Sequence, residues 1–392
     1  MRIAIYGGSF NPPHIGHIEA ARTVSESLRP DRLLIVPACT PPHKSLADGS
    51  PTAEQRLELC RIAFEGIPNA EVSDIELRRE GKSYTYDTVR QLEREYPDSE
   101  LTLVIGTDML VCFEEWYQYR YILSSCTLAV LSREEDDLDL LRAKAAELRE
   151  SCGARVELVP HVPVEASSER IRDRLPLRSG EDLLSDGVYS EIIRRRWYGA
   201  RPSLTWLREK ALGYIDERRV EHVVGCENEA VMLARRWGED PELAAEAGIL
   251  HDITKRCSGE EQLKLCEKYG IIIDNFEREN PRLLHARTGA AMARELFGVD
   301  DTVYEAIRWH TTGKPDMSLF EKLIYLADYI EPTRDFPGID ELRALAYEDL
   351  DRAMELGLRM TIEELRRSGF ALGPETLETY EWYNEKITRR DN

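Results

Sequence analysis

At 392 residues, 42% of them hydrophobic, the chain is longer than one ordinary domain and can fill two cores. Lys and Arg number 52 against 73 Asp and Glu, a formal charge of −21, which argues against nucleic acid or an anionic membrane face as a partner of the whole molecule but leaves room for small anions bound locally. No apolar run reaches the roughly 18 residues of a membrane helix, Met1 to Tyr6 is too short for a secretory signal, and the eight cysteines form no Cys-x-x-Cys pair, so a cytoplasmic chain with reduced, mostly buried thiols is expected.

The first predicted element is a strand from Arg2 to Tyr6 that empties into Gly7-Gly8-Ser9-Phe10-Asn11-Pro12-Pro13-His14-Ile15-Gly16-His17. Ile18, Ala21, Val24 and Leu28 then recur at helical spacing, giving strand, turn and helix in succession. The N-terminus of such a helix offers unpaired N–H groups and a partial positive charge, suited to a nucleotide polyphosphate. His14 and His17 share that end, and Gly16 between them removes a side chain that would keep phosphate away.

Further strands are predicted at Arg32 to Val36, Leu101 to Ile105, Thr127 to Leu131 and Arg155 to Val159, alternating with helical patterns. That alternation predicts an α/β unit with a mostly parallel sheet and a ligand site beyond the strand ends. Glu134-Glu135-Asp136-Asp137 reads as a solvated loop before a helix around Leu140 to Leu148. Gly199-Ala200-Arg201-Pro202 breaks the helical pattern, and from Trp206 onward strand signals nearly vanish. The expected domains are 1–200, α/β, and 201–392, all-α.

In phosphoryl-type transfer a protein mainly positions reactants and stabilises charge on phosphate oxygens, so imidazole donors at a helix end suit the chemistry. The run from Gly7 to His17 resembles the His-x-Gly-His signature of the nucleotidyltransferase superfamily, and residues 1 to about 200 resemble the Rossmann-like nicotinate-nucleotide adenylyltransferases. Pro41-Pro42-His43-Lys44 resembles that family's substrate-side loop, and Ser83-Tyr84-Thr85-Tyr86-Asp87-Thr88 its Ser-Tyr-Thr segment. Gly106-Thr107-Asp108, with Trp116 beyond, resembles the stretch that receives the mononucleotide and stacks its ring; Tyr84-Thr85, Asp108 and Trp116 separate the chain from the pantetheine-phosphate adenylyltransferases. Ser167-Ser168-Glu169-Arg170-Ile171-Arg172 resembles the late phosphate motif, with Glu169 where Thr is usual; that carboxylate must turn away or meet Mg²⁺ or Arg170. The resemblance implies transfer of AMP from ATP, with Mg²⁺, to nicotinate mononucleotide, giving nicotinate adenine dinucleotide and pyrophosphate. The nucleophile is the mononucleotide's phosphate, largely ionised at neutral pH, so no general base is needed. It further implies His14 and His17 as catalytic, Gly8, Ser9, Phe10, Gly16, Ser168 and Arg172 as ATP-binding, and Lys44, Tyr84, Thr85, Asp108 and Trp116 as mononucleotide-binding.

The second half carries His222, the adjacent pair His251-Asp252, His285, His310 and Asp328 on a helical background. The apolar run into His251-Asp252 would bury a costly polar pair, which metal ligation explains. Imidazoles and carboxylates without thiolates favour iron, manganese or cobalt in an open site, and a carboxylate between two ions can bridge them for hydrolysis of a phosphate ester or anhydride. The arrangement resembles the HD superfamily of metal-dependent phosphohydrolases. Over residues 203 to 390, with Trp309-His310-Thr311-Thr312-Gly313 and Leu326-Ala327-Asp328-Tyr329-Ile330-Glu331-Pro332, it is similar to the YqeK-type family. That resemblance implies a di-iron enzyme splitting diadenosine tetraphosphate symmetrically into two ADP, with ligands His222, His251, Asp252, His285, His310 and Asp328 and with Asp252 as bridge. Lys255, on the same helical face as His251 and Asp252, either holds a substrate phosphate or is a solvated lysine. Thr311, Thr312, Arg334 and Asp335 are placed in the nucleotide pocket. The main reading is a bifunctional enzyme acting on ATP, nicotinate mononucleotide and diadenosine tetraphosphate, with room for a homo-oligomer. A nucleotide-sensing or differently specific HD half stays open beside it.

Overall fold

The computed structural model describes residues 1–41, 46–132 and 138–392. The chain divides into two compact units, Met1–Arg201 and Pro202–Asn392.

In the first unit the aliphatic runs form strands β1 (Arg2–Gly8), β2 (Arg32–Pro37), β3 (Ala70–Val72), β4 (Glu100–Gly106), β5 (Cys126–Ser132) and β6 (Arg155–Pro160). Every pairing among them is parallel, in the order β3-β2-β1-β4-β5-β6. The short β3 is an addition to the strands expected from sequence. The order reverses between β1 and β4, and ligands of such sheets bind at the carboxyl ends of the strands flanking that point. Ile3, Ile5, Leu34, Leu103, Ile105, Leu128 and Val130 fill one core with Val89 and Leu92, whereas alternate residues such as Leu33, Ile35 and Ala129 are buried on the other face. Helix α1 (Ile15–Leu28) follows β1 and ends at Arg29, left-handed, before Pro30. Helix α2 (Ala53–Ala63) starts from a capping box of Thr52 and Gln55, and α3 (Thr85–Glu95) leads into β4. The helix expected around Leu140 to Leu148 spans Leu138–Cys152, while the acidic run from Glu134 to Asp137 lies outside the described residues.

The second unit is built from helices among its residues. In the helix Val220–Trp237 the buried Cys226, Ala230, Leu233 and Ala234 keep helical spacing, and it packs on Pro241–Leu250, whose Ala244, Ala245, Ala247 and Gly248 are small enough for a close crossing. All eight cysteines are free; Cys60, Cys126, Cys226 and Cys266 are buried, and Cys112 is exposed. No helix among the described residues is long and apolar enough to cross a membrane.

Candidate active sites

β1 brings Gly7 and Gly8 to the carboxyl edge of the sheet, paired with Val36 and Pro37 at the end of β2. His14 immediately precedes α1, and its carbonyl accepts the N–H groups of His17 and Ile18 at 2.9 and 3.1 Å. The backbone N–H of His14 donates to Nδ1 of His17 at 3.2 Å, so a neutral His17 carries its proton on Nε2. The two rings stack with centroids 3.7 Å apart. Burial lowers His14 to about 4 and, with His14 beside it, holds His17 well below 6.5. Both are therefore neutral hydrogen-bonding groups at pH 7 rather than cations. A Cβ at Gly16 would lie 3.1 Å from Nδ1 of His14. The first obstacle to a side chain there is the His14 ring, and only through it the phosphate.

Phe10 adopts a left-handed φ of 44° and its ring is fully buried, edge-on to His17 at 5.0 Å and to Phe64 at 5.5 Å. The ring braces His17 and leaves only the Phe10 backbone for a ligand. Ser168 Oγ donates to the Pro12 carbonyl at 2.9 Å and Arg172 Nη1 to the Asn11 carbonyl at 2.7 Å, so both fasten the Gly/Pro loop. Glu169 is exposed in the first turn of the helix Ser168–Arg174.

At the same edge of the sheet lies a cavity of about 260 Å³, lined by Gly8, Ser9, Tyr84, Thr85, Trp116 and Tyr117 among others. Trp116 is half-buried, stacked on Phe113 at 4.9 Å, and Tyr84 lies 4.9 Å from Tyr117. Asp108 is exposed in the first turn of the helix Thr107–Val111, outside this lining. Lys44, with Pro42 and His43, lies outside the described residues. Arg56 escapes sequence reasoning because a lone arginine on a helix reads as solvated. It is fully buried, and its Nη1 donates to the Ser9 carbonyl at 2.7 Å while Nη2 donates to those of Ala38 and Cys39 at 2.7 and 3.0 Å.

In the second unit five helices contribute. His222 lies in the first turn of Val220–Trp237, His251 ends Pro241–Leu250, His285 opens His285–Phe297, His310 ends Asp301–Trp309, and Asp328 lies near the end of Leu319–Ile330. Nδ1 of His251, His285 and His310 each donates to the carbonyl three residues earlier, Gly248, Arg282 and Ile307, at 2.7, 2.7 and 2.6 Å. Nδ1 of His222 donates instead to Glu331 Oε1 at 3.0 Å. With each Nδ1 committed as a donor, the four imidazoles in their neutral form carry a lone pair on Nε2 for a metal.

Asp252 stands among them. Its Oδ2 is 3.4 Å from His251 Nε2 and 3.7 Å from His222 Nε2; its Oδ1 is 3.4 Å from His285 Nε2 and 3.6 Å from His310 Nε2. Asp328 Oδ1 is 3.2 Å from His222 Nε2. Nε2 of His222 and of His251 and Oδ1 of Asp252 are buried without a hydrogen-bond partner, a costly state that a bound cation relieves. The ligand atoms of His222, His251 and Asp328, and those of His251, Asp252 and His310, lie within 4.8 Å of one another. This imidazole and carboxylate set fits divalent metal. Burial pushes Asp252 and Asp328 up, yet the surrounding histidines, with Lys255 at Asp252 and Arg334 at Asp328, outweigh it and hold both well below the usual carboxylate range.

Lys255 Nζ lies 2.9 Å from His285 Nε2 and 4.0 Å from Asp252 Oδ1. Thr311 Oγ1 is 3.1 Å from His285 Nε2, the Thr312 hydroxyl donates to the Gly313 carbonyl at 3.1 Å, Arg334 Nη2 donates to Asp328 Oδ1 at 2.8 Å, and Asp335 is exposed. Glu331 and Arg219, which pairs with Asp252, are further members that sequence reasoning passed over. For Glu331 the available signal was its place three residues after Asp328.

Residues 5–174 match the cytidylyltransferase-like family and residues 219–333 the HD domain family. The chain is 39% identical over 180 residues to the symmetrical bis(5'-nucleosyl)-tetraphosphatase of Bacillus subtilis, covering 45% of this chain and 96% of that protein. It is 36% identical over 213 residues to a Geobacter metallireducens protein named "Probable nicotinate-nucleotide adenylyltransferase", covering 50% and 98%. The crystal structure of an HD superfamily hydrolase from Clostridium acetobutylicum, described as involved in NAD metabolism, is 37% identical and aligns over 48% of this chain and 100% of that one, with a TM-score of 0.46. The chain thus belongs to two families at once, to the nicotinate-nucleotide adenylyltransferases through its first half and to the symmetrical bis(5'-nucleosyl)-tetraphosphatases of the HD type through its second.

Proposed function

We propose that the chain is a bifunctional nucleotide enzyme with catalytic domains 1–200 and 201–392. The first transfers AMP from ATP to nicotinate mononucleotide, and the second splits diadenosine tetraphosphate symmetrically into two ADP. The observation that carries this reading is that each half aligns over nearly the full length of an enzyme so named, with His14 and His17 stacked in the first and the imidazole and carboxylate cluster in the second.

In the first site an oxygen of the mononucleotide's phosphate bonds to the α-phosphorus of ATP as the bond to the pyrophosphate oxygen breaks. His17, its Nε2 proton set by the bond at Nδ1, donates to the α-phosphate, with His14 and the N–H groups at the start of α1 beside it. Gly8, Ser9 and Gly16 let backbone approach the phosphates, and Ser168 and Arg172 keep the Gly/Pro loop in place for them. The exposed face of Trp116 stacks the nicotinate ring beside Tyr84 and Thr85, and Lys44 and Asp108 bind the mononucleotide in this reading. Mg²⁺ carried with ATP supplies charge neutralisation on the leaving pyrophosphate.

In the second site His222, His251, Asp252, His285, His310 and Asp328 would hold two divalent ions, iron in this reading, with Asp252 between them; when bound these supply Lewis acidity and an activated water. Lys255 holds the tetraphosphate chain, and Thr311, Thr312, Arg334 and Asp335 border the nucleotide.

Anaerobically purified, iron-loaded protein should release ADP from diadenosine tetraphosphate, and the Asp252→Ala variant should not. Absence of release with iron bound overturns the hydrolase half. Formation of the dinucleotide from ATP and nicotinate mononucleotide, lost in His17→Ala, tests the other.

A further inference from the structure

Behind the wall of the first cavity lies a carboxyl with no role so far. Glu76 follows β3, borders the cavity and is 8% exposed. The Thr88 hydroxyl donates to its Oε1 at 2.6 Å and itself accepts from Arg79 Nη2 at 2.7 Å, while the Arg79 guanidinium stands 3.9 Å from the carboxylate. Burial pushes the carboxyl up, and Thr88, Ser83 and Arg79 oppose it. Ser83 Oγ accepts the N–H groups of Cys39 and Thr40 at 2.9 and 3.3 Å, and the Ser83 N–H donates to the Thr40 carbonyl at 2.9 Å. The Glu76 carboxyl receives the proton of the Thr88 hydroxyl, on the helix that Thr85 opens.

A carboxylate bordering a cavity that takes an anion repels it unless its acceptor sites are turned into the wall. Here Oε1 is turned to the Thr88 hydroxyl, with Arg79 behind. We infer that Glu76 is the positioning residue of the mononucleotide pocket: through Thr88 it fixes the segment that presents Tyr84 and Thr85, which Ser83 ties to the loop after β2, and so sets affinity for the nucleoside monophosphate acceptor but not for ATP. The inference rests on the adenylyltransferase reading above.

The test compares Glu76→Gln, Thr88→Val and Thr88→Ser in the full chain. Michaelis constants are measured for both substrates, and mononucleotide binding without ATP is followed by tryptophan fluorescence. Loss of a hydrogen bond to a charged group should weaken the mononucleotide about tenfold in Glu76→Gln and Thr88→Val by both readouts, leaving the ATP constant within about twofold. Thr88→Ser, which keeps the hydroxyl, should restore the wild-type value, and the double variant should be no worse than Glu76→Gln alone because both act on one network. Folded variants with unchanged mononucleotide affinity, or with both Michaelis constants raised equally, overturn the inference. Thr88→Val leaves Glu76 in place and keeps the test decisive if Glu76→Gln does not fold. Wild-type protein that binds the mononucleotide without converting it counts against the adenylyltransferase reading, while the fluorescence arm still decides the role of Glu76.

Discussion

Glu331 Oε1 accepts the Nδ1 proton of His222 at 3.0 Å, across 109 residues of chain. The carboxylate is fully buried, its Oε2 accepts the Thr333 N–H at 2.7 Å, and it presses so closely on the helix of His222 that a Cβ at Gly225 would lie 2.6 Å from Oε2. Glu331→Ala should release the His222 ring and weaken metal retention by roughly 10- to 100-fold, the usual cost of losing such a partner. Metal content after equilibrium dialysis measures it, and wild-type retention would refute the role. Gly225→Ala should weaken retention in the same direction while leaving adenylyl transfer unchanged.

His17→Ala should abolish adenylyl transfer and leave tetraphosphate cleavage intact, and Asp252→Ala should do the reverse while emptying the metal site. Paired turnover assays on each variant check this. Loss of both activities in either would contradict independent sites.

Arg56 joins the loops after β1 and β2 through three carbonyls. Arg56→Met leaves those acceptors without their donor, a cost of about 1–3 kcal/mol each that relief of a buried charge partly offsets. The first unit should lose about 2–4 kcal/mol, seen as a lower transition in calorimetry, and both Michaelis constants of the transferase should rise. A transition at the wild-type temperature would show that the loops hold without it.

His14 is lowered by burial to about 4 from 6.5, so between these values the unfolded chain binds a proton that the folded chain refuses. Its contribution is complete above pH 6.5 and is lost as pH falls toward 4, at most roughly 3 kcal/mol. His17, lowered by the same burial, acts in the same direction. The melting temperature of the first unit should fall from pH 7 to about 4.5, and less steeply in His14→Gln. Equal slopes in the two proteins would exclude His14 as the source.

The strands beginning at Arg2, Arg32, Glu100, Cys126 and Arg155 are legible because each is an aliphatic run bounded by turn chemistry. β3 is not, since Ala70–Val72 has three residues and none is fully buried. The histidines are legible for their rarity and setting, but their supports are not. Arg56 meets Ser9 across 47 residues, Glu331 meets His222 across 109, and the Glu76 network depends on which hydroxyl proton points where. Local pattern carries no trace of such pairings, and charged residues on helices or turns are ordinarily solvated.

Three of the four imidazoles in the second unit take their orientation from main-chain oxygens, at Gly248, Arg282 and Ile307. No side-chain exchange at those three positions can delete the acceptor, since every amino acid supplies the same carbonyl. The fourth depends on a carboxyl that a single codon change removes. Among the four imidazoles, the one orientation that a side-chain exchange can remove therefore lies at the His222 end of the cluster.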